Sequence, residues 1–133
     1  MSESQTVNRN QLGKVKNHKE LLAYEKAYEL VLLVYKMTQS YPKEEVYGLT
    51  SQMRRCVVSI PSNIAEGHAR GTKEYVQFLK IAIGFALELE TQLSLSKDLG
   101  FCVGQDVEKA TKLNLEVIKL LRSYLARMGG TKG

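Results

Sequence analysis

Four polar residues, Ser59, Ser62, Asn63 and Glu66, surround Pro61 in the segment Val58 to Arg70, VSIPSNIAEGHAR, which opens in an apolar stretch. Hydroxyls and a carboxylate this close together are the raw material of nucleophilic catalysis, which also needs a base beside the nucleophile. No histidine stands at a spacing that would activate either serine, or Cys56. The two histidines are His18 and His68. Glu66-Gly67-His68 lacks the i, i+3 spacing with which a helical bundle holds a carboxylate di-iron centre. No HExxH, phosphate loop or dinucleotide glycine pattern occurs. Glu88 and Glu90 are two residues apart, so a helix points them to different sides. The sequence therefore predicts no catalytic residues, no metal and no cofactor. An enzyme built on Asn63 and Glu66 is the weakest reading.

A second set of residues suits polyanion contact. His68, Arg70 and Lys73 surround one turn, and Arg54 and Arg55 precede the proline segment. Lys14, Lys16 and Lys19 follow Arg9 in a polar leader whose only acid is Glu3. Basic side chains of this kind contact phosphates, and a formal net charge of +5 permits such a partner. The plainer alternatives are a solvated turn and an arginine–carboxylate contact. In a hairpin folded near residue 70, Glu88 comes level with Gln52, within a turn of Arg54 and Arg55. An Arg–Glu pair between helices or subunits is expected there.

These residues must be positioned by helices. Ala23, Ala27, Leu30, Val34, Met37 and Tyr41 alternate in steps of four and three, the seam of a bundle helix over about 20–39. Tyr24, Tyr28, Val31 and Tyr35 make a second stripe. Pro42 ends this helix. A second helix is expected from Lys43-Glu44-Glu45, with Gly48 loosening its first turn. Leu49, Met53, Cys56 and Ile60 continue its seam and Asn63 falls on it. Pro61 kinks that helix by removing a backbone donor. Ser59, Ser62 and Asn63 are then expected to bond the carbonyls freed around Val57 and Val58, with Glu66 and Gly67 at the turn. Gly71 closes the turn, and Thr72 is a suitable N-cap for the third helix.

In that third helix Tyr75, Leu79, Ala82, Ala86, Leu89 and Leu93 form the seam. Val76, Phe78, Ile81, Ile83, Phe85 and Leu87 cover its other sides. A helix apolar all round needs neighbours all round, so a subunit interface is expected. After a connection with two glycines, a fourth helix spans about 105–128 with Asn114 interrupting its stripe. The expected fold is an all-α, antiparallel up-down-up-down four-helix bundle over 20–128. A flexible basic tail precedes it (1–19) and a flexible end follows (129–133). Cys56 and Cys102 read as reduced core thiols. With no signal peptide or membrane-length apolar run, a cytoplasmic chain is expected.

Several blocks together carry a family likeness. Pro42-Lys43-Glu44-Glu45, Tyr47 to Arg55 (YGLTSQMRR), Ser59 to Gly67 (SIPSNIAEG) and Glu88 to Leu93 (ELETQL) resemble the 23S rRNA-intervening-sequence protein family, also called four-helix bundle proteins. The resemblance covers about residues 20–125. It departs at Tyr24, where the family commonly has Trp. It implies a bacterial homo-oligomeric ring, with five subunits the expected number. Some members resemble the bundle that assists a reverse transcriptase, which implies RNA or ribonucleoprotein binding. The alternative is an adaptor for a protein encoded nearby, such as a reverse transcriptase, without nucleic acid.

Overall fold

The computed structural model describes residues 18–128, with side chains from Leu21 onward. These residues form four long α-helices and no strand: α1 (His18–Thr38), α2 (Leu49–His68), α3 (Thr72–Asp98) and α4 (Gly104–Arg127). The expected tail and end, with Lys14, Lys16 and the side chain of Lys19, lie outside the described residues. Each helix packs against two others: α1 on α2 and α4, and α3 on α2 and α4. None of the described helices is long and apolar enough to cross a membrane.

The core follows the four–three spacing. All six seam residues of α1 and its adjoining turn are buried, as are all six of α3. On α2 the buried line runs Met53, Cys56, Val57, Ile60, Pro61 and Ile64. Asn63 is only half-buried, so it lies beside this seam rather than on it. Asn114 is buried in α4 and donates from Nδ2 to the Ala86 carbonyl at 2.8 Å. That bond ties α4 to α3 and offsets part of the cost of burying the amide, whose Oδ1 is buried without a partner among the described residues.

The connections differ from expectation in three places. First, α1 starts two residues early, so His18 and Lys19 belong to it. Second, Lys43–Glu45 forms a separate 3-10 turn and α2 starts only at Leu49. The acidic residues still serve that helix, because Glu45 Oε1 accepts the Leu49 N–H at 3.0 Å. Gly48 has no side chain for the task, so the cap comes from one turn upstream. Third, Thr72 is the first residue of α3 rather than its cap. Gly71 holds the cap position in an extended conformation, with no side-chain cap bond. At the far end of α3, Gly100 adopts φ 76°. The Phe101 N–H then reaches the Ser96 carbonyl at 2.9 Å, the bonding of a glycine-terminated helix.

Candidate functional site

Residues around Pro61 work on the backbone. Ser59 Oγ donates to the Arg55 carbonyl at 2.8 Å, and Asn63 Nδ2 donates to the Ser59 carbonyl at 2.7 Å. These bonds fall on Arg55 and Ser59, not on the carbonyls of Val57 and Val58 where the missing proline donor suggested them. Each side chain reaches back one turn, the ordinary range of a helical Ser or Asn. Ser62 is exposed. Cys56, one turn before the proline, is also committed. Its thiol donates to the Phe85 carbonyl at 3.1 Å. Burial, with the Glu88 carboxylate adding to it, pushes this thiol up to about 12. It is therefore a poor nucleophile at neutral pH.

At Gly67, α2 approaches α3 closely. A Cβ at this position would meet Phe78 Cβ at 2.6 Å and Tyr75 Cδ1 at 2.9 Å. Across it, Glu66 pairs with Arg70 at 2.7 Å, and the Arg70 guanidinium lies 4.9 Å from the Phe78 ring centre. The bond from Glu66 raises the Arg70 pKa further above its ordinary value. His68 meets Tyr75 edge-on at 5.9 Å, and Tyr75 meets Tyr124 of α4 at 5.8 Å. Lys73 is exposed.

The basic candidates do not form one patch. Arg55 and His68, both on α2, are separated by about 20 Å of helix at about 1.5 Å per residue, and Arg70 lies beyond His68. Arg54 turns toward α1. Its Nε donates to Thr38 Oγ1 at 2.9 Å, its Nη2 to the Tyr35 carbonyl at 3.4 Å, and its guanidinium lies 4.7 Å from the Tyr35 ring centre. The expected Arg54–Glu88 contact within the subunit is absent among the described residues. Glu88 instead accepts from Gln92 Nε2 at 3.3 Å. The two ion pairs among them are Lys26–Glu116 and Arg70–Glu66. Arg55 is exposed, and Glu90 is half-buried on α3.

One feature had no signal in the individual motifs. A trough runs between α1 and α2, made of three cavities that share lining residues. The first, about 520 Å³, includes Tyr24, Tyr28, Leu32, Val58, Pro61 and Glu66. The second, about 410 Å³, continues through Tyr35, Arg54 and Arg55 and shares Val58. The third, about 500 Å³, shares Val46, Thr50 and Arg54 with the second and reaches Pro42. The second aromatic stripe of α1 thus forms one wall. Leu32, 55% exposed, stands in it without cover. The face of α3 also leaves apolar residues uncovered, with Ile81, Leu87 and Leu95 all exposed. Its flanks are better packed than expected: Val76, Phe78 and Phe85 are half-buried and Ile83 is buried.

A family model described as 23S rRNA-intervening sequence protein matches residues 19–123. Among solved structures, the chain is similar to a protein of unknown function from the S23 ribosomal protein family of Bacteroides thetaiotaomicron. The identity is 23% and the TM-score 0.74, over 81% of this chain and 98% of that one. No curated protein matches.

Proposed function

The chain belongs to the 23S rRNA-intervening sequence protein family, and on that premise we propose that it is a non-enzymatic, ring-forming bundle that binds RNA or a ribonucleoprotein. Five copies are the number the family likeness implies, and the working compartment is the cytoplasm. The helices run up-down-up-down. Support comes from paired contacts that advance on one helix and recede on the next. Met53 meets Ser96, whereas Gly67 adjoins Phe78. Lys26 meets Glu116, whereas Tyr41 meets Phe101 at a tilt. Pro61 kinks α2 where its ring replaces a donor.

The observation that carries the RNA reading is a grouping at one end of the bundle. Tyr24, near the start of α1, lines a cavity with Ala69. Tyr124, near the end of α4, meets Tyr75 at a tilt, and Tyr75 meets His68 edge-on. The start of α1, the turn with His68, Arg70 and Lys73, and the α4 terminus with Arg127 therefore share an end. A ring turns every such end the same way, and weak phosphate contacts add as avidity. Arg54 and Arg55 lie along the helix, away from this surface.

A second reading is an adaptor for a neighbouring protein such as a reverse transcriptase. It is favoured by the other end, where Tyr47 is 93% exposed beside Val46. Sizing the purified full chain, with the 260/280 absorbance ratio recorded, tests the first reading. An oligomer carrying nucleic acid supports it. A monomer removes the ring, and an oligomer that neither carries nor takes up RNA leaves the adaptor.

A further inference from the structure

Gly84 is exposed in the middle of α3, and a Cβ added there would meet nothing within 4 Å. A glycine inside a helix weakens it. In Gly67 the reason is visible, because α3 crosses its backbone. Within the subunit Gly84 has no such reason. Ile81 and Leu87 flank it, both exposed. An uncovered glycine between uncovered apolar residues marks a place where another backbone approaches closely.

From this we infer that the α3 face centred on Gly84 seats in the α1–α2 trough of a second copy. The inference rests on the ring reading above and names the two surfaces that would build it. They are different surfaces, so the contact is head-to-tail. The trough is concave, and Pro61 and Val58 are among the residues that line it. The Gly84 face offers a ridge of two apolar side chains with a gap between them.

Charge and height agree with this seating. The contacts Met53–Ser96, Cys56–Phe85 and Gly67–Phe78 fix the level of α2 against α3. Averaged over them, Ser62 stands within a turn of Gly84, Val58 of Leu87 and Glu66 of Lys80. Arg55 stands within a turn of Glu88. Rotation about an axis parallel to the helices leaves every height unchanged. Glu66 of one copy then meets Lys80 of the next, and Arg55 meets Glu88, while the gap at Gly84 receives Ser62. The expected Arg–Glu contact, absent within the subunit, is thereby made between subunits. With no rise along the axis, such a succession closes into a ring rather than climbing into a filament. Opposite charges at such a rim fix register and exclude slipped arrangements.

The test is sedimentation equilibrium on the full chain, comparing wild type with Gly84→Leu, Arg55→Glu, Glu88→Arg and the Arg55→Glu/Glu88→Arg double variant. Gly84→Leu clashes with nothing inside the subunit, so its circular dichroism should keep the wild-type helix content while the oligomer is lost. Each single charge reversal should weaken assembly on the order of tenfold and the double reversal should restore it. Oligomers that persist in Gly84→Leu, or a double reversal no better than the singles, overturn this interface and leave the ring reading standing. A monomeric wild type overturns both.

Discussion

Gly67 and Phe78 are in backbone-to-side-chain contact: a methyl group on Gly67 would come within 2.6 Å of the Phe78 Cβ. The atom it meets is next to the α3 backbone, so it cannot swing aside. Gly67→Ala should therefore destabilise the fold by about 1–3 kcal/mol, the usual cost of overpacking a fitted contact. Thermal melting followed at 222 nm reads this as a drop of several degrees. Gly84→Ala, with nothing to strike, should leave the folded subunit at least as stable.

Arg54 holds α2 to α1 through Thr38 and Tyr35. Arg54→Ala should cost about 1–2 kcal/mol by denaturant titration, through a lost hydrogen bond and a lost ring contact. Arg54→Lys keeps the charge but not the planar fork, and should recover only part of that loss. Full recovery by lysine would mean that charge alone matters there.

Cys56 should resist alkylation in the folded chain while half-buried Cys102 reacts first. The pH dependence follows from the same burial. The folded thiol titrates near 12 against an ordinary value of 9.0. An acid whose pKa is raised by folding holds its proton longer when folded than when unfolded. Its contribution is full below about 9 and is lost as pH climbs toward 12. Stability measured across that window should fall less steeply in Cys56→Ala.

The buried seams of α1 and α3 were readable because position along a helix dictates which face packs. Asn114 was readable as an interruption, since an amide on an apolar stripe must find a partner. Other features were not legible. The cap of α2 comes from Glu45 because Gly48 has no side chain, and only the backbone path reveals that reach. Arg54 and Arg55 looked equivalent, yet one turns to Tyr35 and the other to solvent. Adjacent residues on a helix point about 100° apart, and the sequence does not say which neighbour each direction meets. The trough is a gap between two helices, so no single motif announces it. Of the two places expected for an Arg–Glu contact, between helices or between subunits, the helices of one subunit do not make it, and Glu88 accepts from Gln92 instead.

Charge reversal at the basic end separates RNA contact from assembly. Lys73→Glu lies outside the trough and the Gly84 face, so the oligomer should persist. RNA affinity should fall by more than one phosphate contact alone would give, because a ring repeats the change in every copy. Fluorescence anisotropy with labelled RNA, paired with sizing of the same sample, checks this. A loss of assembly in that variant would join the two surfaces that the account keeps apart.

The most direct measurement is the affinity of the purified full chain for a structured RNA as salt is varied. Phosphate contact by several basic ends predicts binding at low salt that weakens by on the order of 10³-fold or more between about 50 and about 200 mM, through counterion release. No binding at the lower salt, or binding indifferent to salt, would contradict RNA contact through this basic end.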